Sequence, residues 1–165
     1  MSSRNDKKVE LSEKMRRQCE NPQKVQAFLK AGADINYQDE DGITVLMSAC
    51  VHGYTGTVDF LLRHGADTTL TQEGGITALM KAALWKHPNI VRKLLDFGVD
   101  VNAKSDGGST ALHNAALSGS LDIVKMLVDA GVEINTRGYG ATALDYAKEK
   151  NHAEIVAFLE SCGAT

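Results

Sequence analysis

A phrase that returns at a fixed interval limits what this chain can fold into. Thr44, Thr77, Thr110 and Thr142 step by 33, 33 and 32, and each opens a similar phrase: Thr44-Val-Leu-Met, Thr77-Ala-Leu-Met, Thr110-Ala-Leu-His and Thr142-Ala-Leu-Asp. A second series, Gly32, Gly65, Gly98, Gly131 and Gly163, steps by 33, 33, 33 and 32. The two series are independent, share one period, and both drop a residue in the segment between Gly131 and Thr142. Self-similarity of this length marks a stack of small units, none able to bury its apolar face alone.

The unit follows from local chemistry. Each Thr suits the N-cap of a first helix, its hydroxyl accepting from a free N–H of the first turn. These helices are expected near 45–52, 78–85, 111–118 and 143–150, with breaks at Gly53, Lys86, Gly119 and Asn151. Second helices follow near 55–63, 88–96, 121–129 and 153–161, each ending before a periodic Gly that can adopt the left-handed conformation. Pro22 and Pro88 lie two full periods apart, and each falls in a first turn, where a missing N–H costs little. After each Gly comes a short extended stretch, such as Ala33-Asp34-Ile35-Asn36, and then a Gly-containing turn.

The phrases Thr110-Ala-Leu-His-Asn-Ala-Ala116, Ile123-Val-Lys-Met-Leu127 and Gly65-Ala-Asp67 resemble the ankyrin-repeat family, over residues 11–163. The resemblance implies an all-α fold, an α-solenoid of ankyrin repeats. It departs from the family pattern at Val45, Ala78, Ala111 and Ala143, where the family has Pro, and at Met47, Met80 and Asp145, where it has the His kept here only as His113. Loss of that His is expected to loosen the hydrogen-bond lattice between turns. Residues 11–31 lack the Thr phrase, yet Leu11, Met15 and Cys19 recur at helical spacing and Val25, Phe28 and Leu29 line the next helix. Arg16 and Arg17 replace paired alanines, as a cap with a solvated face would. Lys148 and Glu160 likewise place polar groups on the outer side of the last unit. The expected organisation is a disordered tail over 1–10 and one ankyrin-repeat domain over 11–165. Within it, 11–43 is an N-terminal cap repeat, 44–76, 77–109 and 110–141 are internal repeats, and 142–165 is a C-terminal cap repeat.

Composition narrows the function classes. The net charge is −3, unevenly spread, with a basic surplus over residues 1–30 and an acidic one over 31–75. A nucleic-acid binder would carry a continuous basic face and a high pI, whereas the pI here is about 5.9. No apolar run approaches the roughly 18 residues of a transmembrane helix, and the polar stretch Met1–Glu10 is not a signal peptide. Cys19, Cys50 and Cys162 cannot all pair and form no C-x-x-C, which suits buried thiols in a reducing compartment. A cytoplasmic protein, with a nuclear one also compatible, is expected.

No catalytic or cofactor motif is present. Phosphate-loop, dinucleotide, zinc-protease and nucleophile-elbow signatures are missing. Gly74-Gly75 and Gly107-Gly108 occupy matching repeat positions and read as a repeated turn more readily than as a phosphate cradle. His52, His64, His87, His113 and His152 lie in different repeats without a second ligand at helical spacing. No metal, no cofactor and no catalysis are therefore expected.

What the resemblance implies about function lies on the surface, because the family grips partner proteins with its turn tips and the exposed side of each first helix. The matching turn positions are Tyr37, Glu40, Asp41 and Ile43, then Glu73 and Ile76, then Lys104 and Asp106, then Arg137 and Tyr139. The matching helix positions are Val51, His52, Leu84, Trp85, Leu117 and Ser118. This set has an apolar middle and a charged rim, the anatomy of a protein interface. Leu84, Leu117, Ile43 and Ile76 are also compatible with packing between repeats. Trp85 is expected to be exposed, since its counterparts His52, Ser118 and Lys150 are all polar. The leading expectation is a monomeric adaptor or inhibitor binding another protein through the concave face, with neither nucleic acid nor membrane as partner. The alternative is a substrate of an asparaginyl hydroxylase, because Leu94-x5-Asp100-Val101-Asn102 and Leu127-x5-Glu133-Ile134-Asn135 resemble the pattern such enzymes accept. The same residues are also simply the repeat consensus.

Overall fold

The computed structural model describes residues 2–165, with side chains from Asn5 onward. It consists of helices and connecting turns: α1 (Ser2–Arg17), α2 (Pro22–Lys30), α3 (Val45–His52), α4 (Thr55–Arg63), α5 (Ala78–Leu84), α6 (Pro88–Phe97), α7 (Ala111–Ser118), α8 (Leu121–Asp129), α9 (Ala143–Glu149) and α10 (Ala153–Ser161). Among the described residues the only extended pairing is two isolated bridges, Gln72 with Ile76 and Gly138 with Ala141. None of these helices is long and apolar enough to cross a membrane.

Local chemistry fixes the helix ends. Thr44, Thr77 and Thr142 accept the N–H of Met47, Met80 and Asp145, each at 3.2 Å, through their hydroxyls. Pro22 and Pro88 each open a helix. Gly32, Gly65, Gly98, Gly131 and Gly163 all have positive φ, as the series requires. The four break positions share the same conformation, although two of them are not glycine: Gly53 and Gly119 stand at φ 77° and 78°, Lys86 and Asn151 at 58° and 59°.

Helices so short are marginal alone and depend on packing. Adjacent helices pair along the chain, and the pairs stack in two rows: α1, α3, α5, α7 and α9 in one, α2, α4, α6, α8 and α10 in the other. The core lies between the rows. The first row contributes Leu46, Ala49 and Cys50, then Leu79, Ala82 and Ala83, then Leu112, Ala115 and Ala116. The alanines and Cys50 among them are small enough for neighbouring helices to pack closely. The second row contributes Val58 and Leu61, then Ile90, Val91 and Leu94, then Ile123, Val124 and Leu127, all fully buried. At the far end Lys148 and Glu160 form an ion pair at 2.9 Å, joining the last two helices across their outer side.

Two expectations need correction at the start of the chain. Of the tail expected over 1–10, Met1 lies outside the described residues. Residues 2–10 continue helix α1 instead of forming a disordered tail; Lys14 pairs with Glu10 one turn away, and Lys8 pairs with Asp34 of the first turn at 2.9 Å. The segment has no Gly or Pro to stop a helix. Arg16 does not face solvent either. Its guanidinium lies 2.8 Å from the Asp39 carboxylate, and both side chains are mostly buried, whereas Arg17 is exposed. Asp39 in turn accepts the N–H of Asp41 and of Ile43 (3.1 and 2.7 Å), so this pair fastens the first turn to α1.

Candidate protein-binding face

The turn tips are chained to one another by backbone hydrogen bonds. Glu73 N–H donates to the Asp41 carbonyl at 2.9 Å, Asp106 N–H to Gly74 at 2.9 Å, and Tyr139 N–H to Gly107 at 2.7 Å. Gln38 adds a side-chain link, its carboxamide donating to the Gly42 and Thr71 carbonyls (2.9 and 2.8 Å). The double glycines are thus stacked turns. A Cβ on Gly107 would fall 2.2 Å from the Tyr139 ring, which lies across that tip. Glu40, Asp41, Glu73 and Asp106 are exposed along this row.

Not every expected turn residue is free. Ile43 and Ile76 are half-buried against the core, packing turn on turn instead of forming an exposed apolar centre. Tyr37 donates its hydroxyl to the Glu13 carboxylate at 3.3 Å. Lys104 pairs with Glu133 at 3.1 Å, and Arg137 donates to the Gly140 carbonyl at 2.9 Å. Tyr139 is 78% exposed and, like Lys86 and Asn151, holds a positive φ without being glycine.

The first-row helix ends divide into polar, occupied positions and apolar, free ones. Ser118 hydroxyl lies 3.2 Å from the Ala83 carbonyl of α5, and Asn114 donates to the Met80 carbonyl at 3.0 Å. His52 donates through Nδ1 to the Ser48 carbonyl at 2.8 Å and stacks on Tyr54. Val51 and Leu117 are partly buried. Leu84 and Trp85, at the end of α5, are 40% and 55% exposed. The indole N–H of Trp85 has no hydrogen-bond partner among the described residues, whereas a buried indole normally requires one. One turn before Trp85, Lys81 is half-buried, and burial lowers its ammonium pKa from the ordinary lysine value.

The histidines, scattered along the sequence, serve the stack. His113 accepts the Thr110 N–H at Nδ1 (3.0 Å) and donates through Nε2 to the Ala141 carbonyl of the next repeat (3.3 Å). This assigns a neutral imidazole, and burial lowers its pKa. At the matching place in the last unit, Asp145 accepts both the N–H and the hydroxyl of Thr142 (2.8 and 2.9 Å), and these bonds hold its carboxyl below the usual range. The cap therefore survives loss of the His, and only the bridge to a further turn is missing. His87 donates to the Val51 carbonyl at 3.0 Å and lies against Gly53; His152 donates to Leu117 at 3.4 Å and lies against Gly119. The sequence held a signal for these two, because each follows a glycine break one repeat earlier, while Ser120 follows Lys86.

Asn102 and Asn135, the positions considered for modification, bridge to the next repeat. Asn102 accepts the Glu133 N–H (2.7 Å) and donates to the Gly131 carbonyl (3.4 Å); Asn135 does the same with Thr165 (2.9 Å) and Gly163 (3.1 Å). Asn36, which sequence reasoning passed over, bridges in the same way to Asp67 and Gly65.

Cys19 and Cys50 are buried free thiols; burial pushes Cys19 up to about 11 and raises Cys50 further. Such thiols are poor nucleophiles. Among the described residues, no three His, Cys, Asp or Glu side chains cluster as a metal would need.

No curated protein matches this chain in sequence. The family profile for ankyrin repeats (3 copies) matches over residues 16–105 and again over 97–165. Repeats of this kind generally serve as protein–protein interaction modules. With paired helices in two rows, bonded turn tips and a profile match spanning nearly the whole chain, this protein belongs to the ankyrin-repeat family.

Proposed function

We propose that the chain is a non-enzymatic module that grips one partner protein along the concave face made by the turn tips and the first-row helices, with Leu84 and Trp85 at its centre. The observation that carries this reading is the exposed Trp85 beside an exposed Leu84, with no hydrogen bond to the indole N–H among the described residues. Tryptophan is enriched among interface hot spots. The matching positions on the neighbouring first-row helices are Val51 and Leu117, exposed Lys86 follows Trp85 directly, and the turn tips carry the exposed acids Glu40, Asp41, Glu73 and Asp106. An apolar centre of this kind suits a partner that presents an apolar side chain.

Capture from source cells with three baits tests the proposal: the unaltered chain, Trp85→Ala, and Phe97→Ala as an exposed apolar control on the second row. Trp85→Ala is expected to weaken retention by about 2 kcal/mol or more, roughly 30-fold, with an unchanged unfolding midpoint. Phe97→Ala should retain the partner fully. Retention by Trp85→Ala together with loss in Phe97→Ala would move the binding face to the other row. The recurrence of Asn at 36, 102 and 135 is accounted for by its bridging role, so no modification is proposed.

A further inference from the structure

At each junction a particular backbone N–H awaits a partner: that of the second residue after the helix-closing glycine. Asp34 N–H donates to Ser12 Oγ at 2.8 Å, Asp67 to Asn36 Oδ1 at 2.8 Å, Glu133 to Asn102 Oδ1 at 2.7 Å and Thr165 to Asn135 Oδ1 at 2.9 Å. Where the acceptor is Asn, its amide nitrogen also donates to the closing glycine carbonyl, at 3.5 Å for Gly65, 3.4 Å for Gly131 and 3.1 Å for Gly163. One carboxamide thus satisfies one donor and one acceptor of the following repeat.

The remaining junction breaks the pattern. The residue in the Asn position is Thr69, and its short side chain turns back to donate to Asp67 Oδ1 at 2.6 Å. Asp100 N–H and the Gly98 carbonyl are left without a hydrogen-bond partner among the described residues. They border a cleft of about 400 Å³ whose walls include Thr69, Thr71, Thr77, Leu79 and Lys104.

We propose that this cleft receives the primary carboxamide of an Asn or Gln side chain from a partner polypeptide. The chain's own Asn fills the same pair of groups at three other junctions. A carboxamide offers an acceptor and a donor on one carbon, matching Asp100 N–H and the Gly98 carbonyl. A carboxylate would set a lone pair against the carbonyl, and an ammonium or guanidinium has no acceptor for the N–H. The exchange replaces solvent hydrogen bonds, so a single carboxamide binds weakly and contributes mainly selectivity within a larger contact.

The test is an amide-resolved NMR titration of the full chain with N-acetyl-asparagine N′-methylamide and, in parallel, N-acetyl-alanine N′-methylamide, which has no primary carboxamide. The Asp100 amide should shift saturably with the first probe and several-fold less with the second. The amides of Asp67, Glu133 and Thr165, already bonded, should stay unmoved and serve as internal controls. In Thr69→Asn the Asp100 response should vanish, because the new side chain occupies the cleft. An Asp100 shift no larger than the three controls, or equal for the two probes, would overturn the proposal, and so would a full response persisting in Thr69→Asn. The first two comparisons use the unaltered chain and stand apart from the Trp85 reading.

Discussion

Lys86, Tyr139 and Asn151 hold φ of 58°, 52° and 59°, a region where an L side chain is strained and glycine is not. Lys86 and Asn151 stand where the other two repeats have Gly53 and Gly119. Lys86→Gly should therefore stabilise the chain by about 0.5–1 kcal/mol in urea unfolding, part of the relieved strain being offset by glycine's greater freedom when unfolded. Asn151→Gly should gain less, since Asn tolerates this region better than Lys. His113 sets a pH dependence of definite sign. The unfolded imidazole titrates near 6.5, and burial lowers the folded value. Between those two values the unfolded state holds the proton and the native state does not. Its contribution is complete above about 6.5 and declines as pH falls through that window. The urea midpoint should drop between pH 7.5 and pH 5 by more in the unaltered chain than in His113→Asn, which has no imidazole to titrate at this position. These single-residue features differ in how readable they were. The Thr caps, the first-turn prolines and the closing glycines were legible because each acts within its own turn. The roles of the bridging Asn residues were not, because their partners lie about one repeat away; for His87 and His152 the one signal was the glycine break a repeat earlier.

Among the described residues, the junction closed by Gly98 has no side-chain bridge from the repeat before it. Supplying it with Thr69→Asn should raise stability by about 1 kcal/mol, the net value of a hydrogen bond or two at a wet surface. Amide exchange should show the corresponding gain in protection at Asp100. The helix positions themselves were legible to within a residue or two, since periodicity and caps agree. The start of α1 was not. Residues 2–10 lack a repeat phrase, and their helix is accompanied by the ion pair between Lys8 and Asp34, a contact from α1 across α2 to the first turn that no local pattern announces. For Ile43 and Ile76 the sequence was compatible with either an exposed apolar patch or packing between repeats, and they are half-buried against the core.

At the scale of the whole molecule, stability is a sum of neighbour contacts, because each helix pair packs mainly against the pairs beside it. Removing residues 132–165 would uncover Ile123, Val124 and Leu127, which are now fully buried. That truncation should aggregate or expose dye-binding apolar surface, and a soluble monomer on a sizing column would contradict the role given to α9 and α10. The face proposed to bind the partner is the first-row face around Trp85. Trp85 is the one tryptophan in the chain, so its fluorescence reports that position directly. In the free protein the emission should lie well to the red and be quenched readily by acrylamide. On saturation with the captured partner it should shift to the blue and become protected from the quencher. Emission already blue and protected in the free protein, or unchanged on binding a partner that itself contributes no tryptophan signal, would contradict the claim.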